Sequence, residues 1–236
     1  MAYPAASGTP LSHASQESRL SYLKSVAGLT FLGLTISGIT GIISALTVAQ
    51  MPIFTTRWGS LALIFGSFGI ANYVAPRFVF GGQKWLGFLM GAVFQGVAMG
   101  YLLLMAFVMG AAAGDPLVFI GNALGMTALT CVGILAYLWS GPQELSLVKA
   151  GLSAMFLPML ILMGVTAVFP IGGAVGIGIS LLFVVISVAG LLYQMNTVLH
   201  QMSTDMKVEG AYTITMGVLI LFWNLLSLIL SLSGRD

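Results

Sequence analysis

Charge is scarce in this chain. Of its 236 residues only 6% are Asp, Glu, Lys or Arg, against roughly a quarter in ordinary soluble domains. That shortage excludes a surface facing water over most of the molecule. It excludes nucleic acid as a partner too, because the formal charge of +2 is scattered along the chain and a nucleic-acid footprint needs Lys and Arg gathered on one face. A single cysteine, Cys131, rules out an internal disulfide. The two histidines, His13 and His200, have no Cys or carboxylate at ligand spacing, so no metal is expected where tetrahedral sites take three or four protein ligands. Nor does a Gly-rich loop join a strand to a helix to cradle phosphate. No serine has a visible His–carboxylate base to activate it. The reading is of a non-enzymatic protein with no catalytic residue and no cofactor.

What the chain has in abundance is apolar sequence, 58% of its residues. Seven segments approach the ~20 residues needed to cross a hydrocarbon core of about 30 Å. They are Val26 to Val48, Trp58 to Ala75, Trp85 to Ala113, Leu117 to Trp139, Leu147 to Phe169, Ile171 to Tyr193 and Ala211 to Ser233. Strands of a barrel would alternate polar and apolar residues, whereas a stretch such as Ser180 to Leu192 is apolar on every face. The expected fold class is therefore an all-α membrane protein, a bundle of about seven transmembrane helices forming one domain over residues 25–236. Its principal partner is the lipid bilayer. Trp58, Trp85, Tyr137 and Trp139 stand at segment ends, where amphipathic rings favour the headgroup level. Pro158 predicts a kink in the fifth segment, and Pro170 a very tight turn after it.

Residues 1–24 contain Pro4, Pro10 and several Ser and Ala without apolar periodicity, and read as a flexible cytoplasmic tail. They lack the order of basic region, apolar run and cleavage site of a secretory signal. The excess of Lys and Arg on cytoplasmic loops orients the chain. With the N terminus inside, Arg19, Lys24, Arg77, Lys84, Lys149 and Lys207 are cytoplasmic, leaving Arg57 and Arg235 outside. An odd number of spans then puts the C terminus outside.

Within the spans the sequence shows no ionisable side chain; Asp205 and Glu209 read as loop carboxylates. Asn72, Gln95, Asn196 and Asn224 are the neutral residues that could line a polar path, although interhelical hydrogen bonding is the commoner use of such side chains. Small-xxx-small pairs recur at Gly87 and Gly91, Gly96 and Gly100, Gly121 and Gly125, and Gly172 and Gly176. They predict close backbone contact, chiefly within one bundle.

Three stretches carry a resemblance to a known family. The first is Arg19-Leu20-Ser21-Tyr22-Leu23-Lys24 leading into Ala27-Gly28-Leu29-Thr30. The second is the glycine-rich run from Gly87 to Gly100 after Lys84. The third and most specific is Leu191-Leu192-Tyr193-Gln194-Met195-Asn196-Thr197-Val198-Leu199-His200, followed by a short polar loop and a span containing Asn224-Leu225-Leu226. In these the chain resembles the transmembrane Bax inhibitor motif family over nearly its whole length. Members usually show Leu-Tyr-Asp-Thr in the third stretch and a second Asp three residues before the last-span Asn, the two forming a pH-sensitive dyad. This chain has Gln194 and Leu221 at those positions, so the dyad's proton-coupled calcium leak does not carry over. The closing Ser-Gly-Arg-Asp and the missing last-span Asp look most like the bacterial YccA-like branch. That resemblance implies an inner-membrane location and association with a membrane AAA protease or another inner-membrane complex; the alternative it implies is a cation leak channel without the usual sensor.

Overall fold

The computed structural model describes residues 11, 14–139, 145–146, 148–152, 154, 162 and 173–233. Among them the chain is helical throughout, in the order α1 (Gln16–Gln50), α2 (Pro52–Thr55), α3 (Arg57–Gly69), a π turn (Ile70–Val74), α4 (Ala75–Val79), α5 (Lys84–Ala112), α6 (Val118–Leu138), α7 (Gly173–Asn196), a second π turn (Thr197–Gln201) and α8 (Lys207–Ser233). Six stretches are long and apolar enough to cross a membrane, the second being α3, π turn and α4 together over Arg57–Val79. The fifth expected segment, Leu147 to Phe169, lies almost wholly outside the described residues, as do Pro158 and Pro170.

The outer surface is apolar, as contact with lipid requires. Phe31, Leu129 and Val132 are each more than 60% exposed, and Trp58 and Trp139 stand out at helix ends. Burial is concentrated instead on α8, which packs against α1, α4, α5, α6 and α7. Among the described spans α8 is the most buried and forms the core. Around it lies one large apolar cluster, with Phe88, Met99, Tyr212, Met216 and Phe222. A second holds Ile134, Leu138, Leu191, Met195, Leu221 and Leu225.

The helix ends sort into two faces. Tyr22 of α1 reaches Met202 in the α7–α8 connection, and Leu11 donates its backbone N–H to the Met202 carbonyl at 3.1 Å. Lys84 at the start of α5 meets Glu209 at the start of α8. These ends share one face, here termed the basic face, with Arg19, Lys24, Arg77 and Lys207. Opposite lie Arg57, the α5–α6 turn at Asp115, and the far ends of α7 and α8, joined by Ser180 and Ser231 at 3.5 Å.

The first helix begins earlier than expected. Residues 16–24, read as tail, form its opening turns, because Ser15 caps them, its Oγ accepting from the Ser18 N–H at 3.3 Å, and Glu17 complements the helix dipole. Tyr22, in that stretch, is fully buried.

Candidate functional site

The most extensive helix contact among the described residues joins α1 and α5, and small residues on both sides make it. A Cβ added at Gly96 would stand 2.4 Å from the Ser37 carbonyl oxygen, and one at Gly100 would stand 2.9 Å from the Ala45 nitrogen. At that separation Ser37 Oγ donates to the Ala92 carbonyl at 2.8 Å, and Ser44 Oγ to that of Val97 at 3.0 Å. The sequence signal for the α1 half was there and unread: Gly33, Ser37, Gly41 and Ser44 form a buried stripe of small residues at helical spacing. Gly87 lies against the α4 backbone at Val79, and Gly91 against the ring of Tyr212. Gly121 and Gly125 behave otherwise. They are exposed on α6, and an added Cβ meets nothing within 4 Å among the described residues. Gly172 lies outside the described residues, and Gly176 is half-buried in α7.

Of the polar residues singled out in the sequence, Asn72 and Gln95 come together. Asn72 Nδ2 donates to Gln95 Oε1 at 3.0 Å and to the Phe68 carbonyl at 3.0 Å, while the fully buried Gln95 keeps its own Nε2 without a partner. The π turn beside them has an assignable cause. Ala75 donates its N–H to Ile70 and Pro76 has none to give, so the Ala71 carbonyl loses both helical partners. The Tyr212 hydroxyl of α8 donates to it instead, as membrane bundles satisfy backbone groups freed by proline.

Asn196 and Asn224 lie elsewhere. Asn224 Nδ2 approaches the Phe183 carbonyl of α7 at 3.5 Å. Asn196 is buried thirteen residues further along that helix, roughly 20 Å away at the helical rise. The four residues therefore do not gather into one polar cluster. The substituted dyad positions both belong to the α7–α8 interface. Gln194 Oε1 is buried without a partner and rests on Gly217, where a Cβ would stand only 2.0 Å from it. Leu221, one turn further along α8, is completely buried in the second apolar cluster.

One ionisable group is buried contrary to expectation. Glu209, read as a loop carboxylate, sits in the first turn of α8 at 3% exposure. Lys84 Nζ holds its Oε1 at 2.6 Å, while Oε2 is left without a partner. Helix α8 starts at Lys207, several residues before its apolar run, and this draws the carboxylate down among Val208, Ala211 and Tyr212. Among the described residues no group of three or more His, Cys, Asp or Glu could hold a metal ion.

A helical bundle of membrane-crossing length, closed around a central helix and carrying neutral side chains at its interhelical polar positions, defines a multi-pass integral membrane protein. The family model described as "Inhibitor of apoptosis-promoting Bax1" matches residues 19–235, and the chain belongs to this Bax inhibitor family. No curated protein and no solved structure matches it.

Proposed function

We propose that this chain is a non-enzymatic inner-membrane protein of the YccA-like bacterial branch, which acts by associating with a membrane AAA protease or another inner-membrane complex and modulating it. One observation carries the reading. The two positions where relatives hold a carboxylate dyad are an amide wedged on Gly217 and a leucine with no exposed surface, so the proton-gated path has neither its sensor nor an opening at Leu221. Cation paths are normally built from carboxylate rings or arrays of carbonyls. The excess of Lys and Arg on the basic face supports a cytoplasmic N terminus. Purification of the tagged chain in mild detergent after cross-linking in the native membrane tests the idea. Stoichiometric recovery of a protease or other membrane complex is the expected result, and recovery of the chain alone would sink it.

A leak channel is the second reading, and specific atoms favour it. Gln95 Nε2 and Gln194 Oε1 are buried without partners, each at a cost of about 1–3 kcal/mol if left dry, so ordered water is expected beside them. Calcium-indicator flux into proteoliposomes separates the readings. Any flux through the native chain is expected to be flat between about pH 6 and 8, because the dyad is absent. Acid-dependent flux should appear only in Gln194→Asp with Leu221→Asp. A steep acid response in the native chain would overturn the assignment.

A further inference from the structure

Helices α1 and α6 do not pack along one another. Between them runs a groove of about 1250 Å³, floored by α5 and α8 through residues such as Met99, Leu103, Ile214 and Phe222. It extends from Arg19 and Leu23 on the basic face to Leu46 and Leu117 on the opposite one, roughly 40 Å along α1, and so through both leaflets. Its described walls are almost entirely apolar, and Ala27 and Ala128 on its two sides are exposed.

The few polar side chains in the groove divide into two kinds. Ser37 and Thr127 are committed to backbone carbonyls. Thr30 Oγ1 and His200 Nε2 are buried without a partner, and the His200 ring lies against the backbone of Leu138. Arg19 stands exposed at the same end. The result is an apolar trough with a cation and an imidazole at its basic end, a hydroxyl about 16 Å further along α1, and hydrocarbon-like lining beyond. Guanidinium groups match phosphate geometry in two-point hydrogen bonds, and basic pockets between membrane helices on the cytoplasmic side suit acidic headgroups.

We propose that this groove is a binding site for an acidic phospholipid, its phosphate held by Arg19 and His200 and one acyl chain lying between α1 and α6 over Met99 and Leu103. The site is independent of the partner protein proposed above. A lipid seated there holds α1 and α6 at their observed separation.

The test uses the full chain in phosphatidylcholine nanodiscs doped with a photoactivatable phosphatidylglycerol, or with the matching phosphatidylcholine, the label in the acyl chain. Cross-linked peptides are mapped by mass spectrometry. The expected result is preferential labelling by phosphatidylglycerol of the segments bearing Leu103, Cys131 and Ile214, competed by unlabelled phosphatidylglycerol. Arg19→Gln is expected to reduce the preference about fivefold, the electrostatic worth of one cation beside an acidic headgroup. Ala128→Trp should abolish groove labelling with the thermal midpoint unchanged. Equal labelling by both lipids would reduce the groove to ordinary annular contact and overturn the proposal. So would labelling by a free fatty acid that phosphatidylglycerol does not displace. A third overturning outcome is cross-linking of Cys131, the chain's single thiol, to the segment 147–169, which would make that segment the occupant.

Discussion

At the scale of single residues, the buried charge on Glu209 stands out because its partner is unequal to it. Lys84 is 41% exposed while the carboxylate is 4% exposed, so the pair gains from burial on one side only. Removing the lysine leaves the carboxylate unpaired in an apolar setting. Lys84→Met is therefore expected to destabilise by about 2 kcal/mol, below the ~3–5 kcal/mol of a wholly buried pair because water reaches Lys84. Glu209→Gln should cost less, and Lys84→Met with Glu209→Leu should recover most of the loss. Thermal unfolding in detergent of the three variants gives the ranking, and a double variant no better than Lys84→Met would refute it. The sequence hid this pair for a physical reason. A Glu two residues into a helix and a Lys at the start of another look like solvated termini, and only the packing of α8 beneath Tyr22 takes the carboxylate out of water.

At the scale of helices, glycines at the same spacing have different tasks, and substitution should separate them. Gly96→Ala places a methyl against the α1 backbone and is expected to cost about 1–3 kcal/mol through overpacking, visible as a lowered midpoint. Gly121→Ala and Gly125→Ala meet nothing within 4 Å among the described residues and should lie within about 0.5 kcal/mol of the parent. Equal losses at all three would mean that α6 has a close neighbour. Spacing alone predicts close contact at most of the pairs; among the described residues the α5 pairs meet neighbouring helices and Gly121 and Gly125 do not, because four-residue spacing fixes a shared face without saying what that face meets. The π turn before α4 was legible in principle, since Pro76 announces a freed carbonyl. That Tyr212, distant in sequence, would satisfy it was not. Tyr212→Phe keeps the ring on Gly91 and removes the donor, at an expected cost of about 1–3 kcal/mol for a buried acceptor left bare. Amide exchange along Ile70–Val79 should quicken in that variant alone.

At the scale of the whole molecule, the expected all-α membrane bundle is what the structure shows, with six membrane-length helices among the described residues. Composition sufficed for this, since a 6% charged chain has no other stable surface. Which helix would be central was not legible, because α8 carries Tyr212, Thr213 and Thr215 and reads as no more apolar than its neighbours. The described ends bear on the span count. Leu138 closes α6 on the basic face beside His200, whereas α7 begins on the opposite face, where Ser180 meets Ser231. The described chain begins at α1 on the basic face and ends at Ser233 of α8 on the opposite one, which favours the proposed odd number of spans. A reporter active only in the cytoplasm, fused after Asp236, should be silent when one placed before Met1 is active. Activity of both would require an even count.

Helix α8 follows in sequence every helix that it organises. During synthesis α1 to α7 enter the bilayer with their inward faces turned toward a space that its owner has not yet reached, and until it does Thr215 is missing from the notch at Gly33 and Tyr212 from the one at Gly91. Helices can persist singly in lipid because their backbone bonds close within each segment, so α1 and α5 can pair before α8 arrives, while the contacts that centre on α8 wait for it. A chain truncated before Lys207 would lack every contact that centres on α8. Its unsatisfied Ala71 carbonyl and open glycine notches would then be the chemical marks by which a surveillance machine could tell an unfinished copy from a finished one.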